Sequence, residues 1–217
     1  MRLGFLASHG GSDMQAVLDA CAAGRLRATP AVVISNNADA EALARAVRAD
    51  VPRYHLSGTA HPDPVALDTA IVDALVRHDV ELVVLAGYMK KLGPRTLARY
   101  RGRVLNIHPA LLPRFGGQGM YGARVHEAVL AAGERETGVT IHVVDEEYDH
   151  GPIVAQCRVP VRADDTPATL AARVLEREHT FLVETLERIV SGALRLSTFS
   201  TWGAPGAPQA PHAPDPE

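Results

Sequence analysis

The segment Asn106-Ile107-His108-Pro109 places two polar side chains where they could act on a ligand. It ends a predicted strand, and because side chains alternate along a strand, Asn106 and His108 share one face while Ile107 lies on the other. Pro109 has no N–H for a ladder, so pairing should stop there. Ligands of open parallel sheets bind beyond the carboxyl ends of the strands, where these two hydrogen-bonding groups would lie. Taken alone, the two residues could also be a turn cap and a hydrogen-bonded structural histidine.

The second segment that could do chemistry is the acidic loop 145–150, DEEYDH, which separates two predicted strands. Asp149 precedes a Gly-Pro turn, at a strand end where its carboxylate could meet the imidazole of His108. The three acids at 145–147 are better explained as a solvated turn. The sequence therefore indicates one acid, Asp149, as a candidate partner of the histidine.

A glycine-containing loop, residues 8–13 (SHGGSD), joins the first predicted strand to the first predicted helix. Such a turn exposes the free backbone N–H groups of the helix N-terminus, which can bind an anion. The loop does not match the dinucleotide spacing G-x-G-x-x-G, and it lacks the lysine of a nucleoside-triphosphate loop. It indicates an anion site without naming the ligand.

These segments are positioned by alternating strand and helix patterns. Strand patterns occur at 3–7, 31–35, 53–56, 80–85 and 103–108, and helical patterns lie between them and from residue 94. The alternation predicts an α/β fold, a mostly parallel twisted sheet with helices on both faces in a Rossmann-like arrangement. After residue 137, strand patterns at 139–144 and 153–161 and a helix at 167–190 predict antiparallel strands near the C-terminal part.

Composition limits the classes of function. The chain has 217 residues, 47% hydrophobic and 22% charged, which suits one domain over residues 1–202. A net charge of −3 gives no electrostatic reason to expect nucleic acid as a partner. No apolar run approaches the roughly 20 residues that span a bilayer, and no export leader is visible. We therefore expect a cytoplasmic protein with no membrane partner. Cys21 and Cys157 are too few for a disulfide framework or a cysteine-based zinc site.

The last residues, 203–217, are rich in Gly, Ala and Pro. Such a stretch cannot bury enough apolar surface to offset the entropy of ordering, so we expect a disordered tail.

Taken together, the segments resemble the glycinamide ribonucleotide formyltransferase family over about residues 2–196. The motifs that carry the resemblance are LASHGGSDMQAVLDA, VISNNADA, VVLAGYMKKLGP, LNIHPALLPRF and GVTIHVVDEEYDHGPIVAQ. The resemblance implies the formyltransferase fold and transfer of a formyl group from 10-formyltetrahydrofolate to the primary amine of glycinamide ribonucleotide, in de novo purine biosynthesis. It implies small-molecule substrates, no metal and a possible homodimer.

The resemblance also implies a role for individual residues. Asn106, and His108 as an imidazolium, would donate to the oxyanion that forms on the formyl group, while Asp149 would raise the pKa of His108 and help to move protons. The residues implied in binding the amine substrate are Gly11, Ser12, Asp13, Pro109 and Glu178. Those implied in binding the folate co-substrate are Met89, Lys90, Leu92, Val144 and Asp145.

Two departures from the family pattern concern the substrate's phosphate. The family usually has Asn at the position of Asp13, and a carboxylate there would repel phosphate unless it turned away to cap the helix. The family also usually supplies an arginine from the loop before the third helix, but residues 58–64 read GTAHPDP, where His61 could be a substitute donor. These departures leave open a formyltransferase for another amine, such as an amino sugar, and a non-catalytic folate- or nucleotide-binding domain.

Overall fold

Short runs of branched apolar residues form most strands of one sheet. A computed structural model describes residues 1–199. The strands are β1 (Arg2–Leu6), β2 (Thr29–Ser35), β3 (Arg53–His55), β4 (Leu82–Leu85), β5 (Val104–His108), β6 (Glu136–Val143) and β7 (Ile153–Pro160). They lie in the order β3-β2-β1-β4-β5-β6-β7; β6 is antiparallel to β5 and β7 to β6, and the other pairs are parallel. The predicted fold class is confirmed.

Helices cover both faces of this sheet. They are α1 (Ser12–Ala22), α2 (Glu41–Arg48), α3 (Pro64–Arg77), α4 (Pro94–Arg99), α5 (Ala123–Ala131) and α6 (Pro167–Val190), and a 3-10 helix follows at Leu196–Phe199. Alternation along β1 sends Leu3 and Phe5 into the core shared with α1, α2, α5 and α6, while Leu6 enters the core shared with α3 and α4. The sheet is therefore the middle of three layers.

Helix α5 was not anticipated by the sequence patterns. Its buried apolar side chains are Val125 and Val129, four residues apart and on one face. Two such positions are too few to distinguish a short helix from a loop that follows a glycine-rich segment.

The strand order reverses between β1 and β4, which creates a crevice at the carboxyl ends of these strands. The loops that leave the two strands are bonded to each other there. The Ser8 N–H donates to the Gly87 carbonyl at 3.0 Å, and the Met89 N–H donates to Ser8 Oγ at 2.7 Å. These bonds therefore hold the two loops in place at the base of the crevice.

Some expectations concern other parts of the chain. Among the helices within residues 1–199, none is long and apolar enough to cross a membrane. Cys21 and Cys157 are both unbridged and half-buried. The tail 203–217 and the domain boundary at 202 lie outside the described residues.

Candidate active site

Strands β5 and β6 place three polar side chains side by side. Asn106 and His108 lie on one face of β5, and His142 on β6 is paired directly opposite Asn106. Asn106 Nδ2 is 3.1 Å from His142 Nε2, and His142 Nδ1 is 3.0 Å from the Val143 carbonyl. The His142 tautomer that satisfies both contacts donates from Nδ1 and accepts at Nε2, so Asn106 donates one of its two amide hydrogens to His142.

The acidic loop between β6 and β7 brings Asp149 to the same place. Asp149 has φ 53°, a left-handed conformation that non-glycine residues seldom adopt. Its Oδ1 is 3.4 Å from Asn106 Nδ2 and 3.4 Å from His142 Nε2, while its Oδ2 is 3.5 Å from His108 Nδ1. The Gly117 N–H donates to Oδ2 at 3.0 Å. The three residues singled out from the sequence, Asn106, His108 and Asp149, therefore converge.

His108 is buried, and the Phe115 carbonyl fixes the orientation of its ring. Nε2 lies 2.8 Å from the Phe115 carbonyl, so Nε2 carries the hydrogen and Nδ1 presents its lone pair towards Asp149. Burial lowers the pKa of His108 more than the Asp149 charge and the Phe115 carbonyl raise it. The predicted raised pKa is therefore wrong in direction, because desolvation outweighs the ion pair, and the resting ring is neutral near pH 7.

Asp149 has the opposite balance. Burial alone would raise its pKa, but the protonated forms of His142 and His108 and the Gly117 N–H stabilise the carboxylate and together hold the pKa below its ordinary value. The carboxylate therefore stays ionised at neutral pH and faces a neutral imidazole.

Two cavities that share part of their lining border this group of residues. The large cleft has a volume of about 720 Å³, and its lining includes His9, Asp13, Met89, Pro109, Tyr121 and Glu178. The small pocket has a volume of about 60 Å³, and its lining includes Leu85, Leu92, Val144 and Asp145. Asn106 and Asp149 line both cavities, so they stand at the junction.

The residues predicted to bind substrates divide between the two cavities. Asp13, Pro109 and Glu178, assigned to the amine substrate, line the large cleft. Leu92, Val144 and Asp145, assigned to folate, line the small pocket, whereas Lys90 lines both cavities and Met89 lines only the large cleft of the two.

Gly11 and Ser12 form the head of α1 and are not among the residues that line either cavity. Gly11 has φ 64°, and a Cβ there would lie 2.9 Å from Ala42 Cβ, so the turn requires glycine. The first-turn N–H groups of α1 have no acceptor within the helix, so they remain able to bind an anion.

Asp13 and Glu178 form a buried pair of acids in the large cleft. Asp13 lies in the first turn of α1, and its Oδ1 accepts no hydrogen bond from the head of that helix, so the condition under which its carboxylate would not repel phosphate is not met. Burial raises the pKa of Asp13 to about 6, and burial together with the Asp13 charge raises the pKa of Glu178 well above its usual value. Asp13 Oδ1 has no hydrogen-bond partner within residues 1–199, and His179 Nε2 is 3.9 Å away.

His61, the candidate substitute donor, is not among the residues that line the large cleft. Its backbone N–H donates to the Ser57 carbonyl at 2.8 Å.

Several residues of the site were missed from the sequence. His142 was seen only as part of a strand, and its position opposite Asn106 depends on the β5–β6 register. Tyr88 lines both cavities, and burial raises its pKa to about 12, so its hydroxyl keeps its proton. Arg124 and Tyr148 also line the large cleft. Among residues 1–199, no group of three or more His, Cys, Asp or Glu side chains is arranged to hold a metal ion.

Comparison with known proteins gives a consistent result. Residues 1–186 match the Formyl transferase family. The phosphoribosylglycinamide formyltransferase of Haemophilus influenzae is 38% identical over 195 residues, and that of Escherichia coli K12 is 35% identical over 196; each alignment covers 90% of both chains. The crystal structure of glycinamide ribonucleotide transformylase 1 from Symbiobacterium toebii superposes with a TM-score of 0.82 at 40% identity, covering 88% of each chain.

Proposed function

Because this chain belongs to the formyl transferase family, we propose that it moves the formyl group of 10-formyltetrahydrofolate to the primary amine of glycinamide ribonucleotide, a step of de novo purine biosynthesis. Two relatives named phosphoribosylglycinamide formyltransferase, each aligned over 90% of its length, support the proposal. The observation that carries it is the convergence of Asn106, His108 and Asp149, with Asn106 and Asp149 lining both cavities.

The folate co-substrate is assigned to the small pocket and the amine substrate to the large cleft. The small pocket, at about 60 Å³, is well below the roughly 300 Å³ at which ligand pockets begin. The acidic loop that forms its wall must therefore move outward to admit the pterin ring. Closure of the loop then returns Asp149 to Asn106 and His108.

Charge stabilisation falls to Asn106. The amine nitrogen attacks the formyl carbon, and the carbonyl electron pair moves to oxygen to form a tetrahedral oxyanion. One Asn106 N–H donates to His142. The other points to Asp149 Oδ1, 3.4 Å from Asn106 Nδ2, and this contact is long enough for a substrate oxygen to replace it. His142 therefore orients the amide, and the second N–H donates to the oxyanion.

Proton transfer falls to His108 and Asp149. The nitrogen that attacks becomes positively charged and must lose a proton, while the N10 nitrogen of folate must gain one as its bond to the formyl carbon breaks. The lone pair on His108 Nδ1 and the ionised Asp149 are both acceptors, 3.5 Å apart. A proton taken by His108 gives an imidazolium that Asp149 stabilises, and this proton is then donated to N10.

The test compares Asn106→Leu, His108→Ala and Asp149→Asn with Glu146→Gln, which removes an exposed acid from the same loop. Each of the first three should lower kcat by about 10²–10³-fold, with KM for folate changed less than about tenfold, because the lost contacts form mainly in the transition state. Glu146→Gln should keep wild-type kcat. The mechanism is wrong if Asp149→Asn or His108→Ala retains a tenth or more of that rate.

A formyltransferase for another amine is the second candidate, favoured by the buried carboxyl of Asp13 beside the loop assigned to the phosphate. A panel of glycinamide ribonucleotide, amino sugars with and without phosphate, and water alone separates the candidates. Turnover of amino sugars alone would reject the purine assignment. Binding of folate without turnover of any amine would indicate a non-catalytic domain.

The cytoplasmic location, the possible homodimer and the absence of metal and nucleic-acid partners stay predictions. Activity that survives a chelator, and sedimentation at micromolar concentration, test the metal and the dimer.

A further inference from the structure

The large cleft, assigned to the amine substrate, is acidic for a site that is to hold a phosphate ester. Asp13 and Glu178 are both buried there, 9% and 7% exposed. The loop 58–64 contributes no arginine, and His61 does not line the cleft within the described residues. Backbone N–H groups at the head of α1 supply partial charges only. Arg45 lies beside the head of α1, but its Nε and Nη1 already donate to the Gly10 carbonyl at 2.9 Å and to Gln15 Oε1 at 3.2 Å. A cation with free donors for a phosphate monoester therefore has to come from another part of the fold.

Arg124 meets this need. It lies in the first turn of α5, is exposed, and is the only arginine among the described residues that line the large cleft. Its guanidinium carbon is 5.2 Å from the centre of the Tyr121 ring, and within residues 1–199 it has no carboxylate partner. The side chain is thus oriented by an aromatic ring while its five N–H donors stay available.

We propose that Arg124 binds the phosphate of the amine substrate and replaces the arginine that is missing from the loop before α3. A planar guanidinium matches two phosphate oxygens at once, and stacking on Tyr121 reduces the entropy lost on binding. The assignment of the anion to this substrate rests on the proposed function.

The carboxylates of the folate tail are the other anion that enters the site. Arg124 lines the large cleft, with Asp13 and Glu178, but not the small pocket. Lys90 lines the large cleft, the small pocket and a neighbouring cleft shared with Lys91. The position of Arg124 therefore favours the phosphate, while Lys90 is closer to the folate side.

The kinetic test uses Arg124→Ala, Arg124→Lys and the control Arg101→Ala, which removes an exposed arginine that lines a different cleft beside α4. Arg124→Ala should raise KM for glycinamide ribonucleotide about 10–100-fold with kcat changed less than threefold, because a charge-assisted contact to phosphate is lost. Arg124→Lys should be intermediate and Arg101→Ala unchanged. If only the KM for the folate co-substrate rises, the proposal is overturned and Arg124 is assigned to the folate tail.

A binding measurement separates this proposal from the proposed function. Calorimetry with ribose 5-phosphate and with ribose measures the contribution of the phosphate without turnover. Arg124→Ala should remove most of the preference for ribose 5-phosphate, and an unchanged preference would refute the assignment. If the wild type fails to formylate glycinamide ribonucleotide but Arg124→Ala still loses that preference, the proposed function fails and the anion site stands.

Discussion

Asp13→Asn should stabilise the protein, and the gain should depend on pH. The carboxyl of Asp13 is 9% exposed, and one of its oxygens has no hydrogen-bond partner within residues 1–199. Burial raises its pKa from the ordinary 3.8 to about 6, so the folded state disfavours the charged form. An amide of the same shape is neutral at every pH and removes this cost.

The magnitude follows from linkage. The difference between 3.8 and about 6 corresponds to about 3 kcal/mol, at about 1.4 kcal/mol for each pKa unit. Because the folded pKa is raised, the wild type loses stability as pH rises from about 4 to about 6, and the loss is constant above that range. Asp13→Asn should therefore match the wild type at pH 4 and exceed it by about 3 kcal/mol at pH 8, a rise in Tm of about 6–12 °C.

Urea denaturation at pH 4, 6 and 8 measures the gain. Asp19→Asn is the control, since Asp19 is an exposed acid on the same helix and its loss should change the free energy of unfolding by no more than about 0.5 kcal/mol. A gain under 1 kcal/mol at pH 8, or an equal gain at pH 4 and pH 8, would refute the claim that a buried charge is the cause. Asp13→Asn should also lower KM for a phosphorylated substrate at pH 8, because it removes a negative charge from the large cleft.

Three further substitutions test how the site is held together. Asp68→Ala removes a buried carboxylate that accepts from the Arg95 N–H, the Thr96 N–H and Thr96 Oγ1 at 2.7, 3.1 and 2.5 Å; it should lower the free energy of unfolding by about 2–3 kcal/mol in urea and raise KM for folate. Gly116→Ala would place a Cβ 2.3 Å from Leu112 Cδ2 and 3.2 Å from Asp149 Cβ; it should lower kcat/KM about tenfold, and wild-type activity would show that Asp149 is not tightly positioned. His150 is paired with Asp145 at 2.8 Å, a contact that raises the pKa of His150. The wild type should therefore have a higher Tm than His150→Gln at pH 6, and the difference should disappear as pH rises through that pKa. A difference that persists at pH 9 would contradict this role of the ion pair.

Much of the fold follows from local patterns. The run at 80–85 predicts a strand covered on both faces, and β4 is such a strand, because side-chain alternation and burial are properties of a few neighbouring residues. The helix predicted at 167–190 has the bounds of α6, since Thr166 accepts the Thr169 N–H and Pro167 fits the first turn. Helix α5 escaped prediction because its burial depends on contacts with α6, which lies far along the chain.

Site residues at strand ends could be predicted from the sequence. Site residues whose position depends on the pairing register between two strands could not. Asn106 and His108 follow from alternation alone. His142 is a site residue only because β6 pairs with β5 so that it faces Asn106, and one residue of slip would turn it to the other face. The direction of the His108 pKa was also out of reach, because it depends on how much water the folded chain removes from the ring.

The carboxyl groups of the large cleft have pKa values displaced in opposite directions, and the direction of each shift indicates whether the group is ionised or protonated near neutral pH. Asp149 is surrounded by His142, His108 and the Gly117 N–H, which hold its pKa low and keep it a proton acceptor. Burial raises the pKa of both Asp13 and Glu178, and the Asp13 charge raises that of Glu178 further, so the pair retains a proton near pH 7 more readily than ordinary acids do. A cleft that keeps Asp149 ionised, and in which the Asp13–Glu178 pair holds a proton more readily than two ordinary acids, is less repulsive to an anion than its residue count suggests, and Arg124 adds a positive charge to its lining.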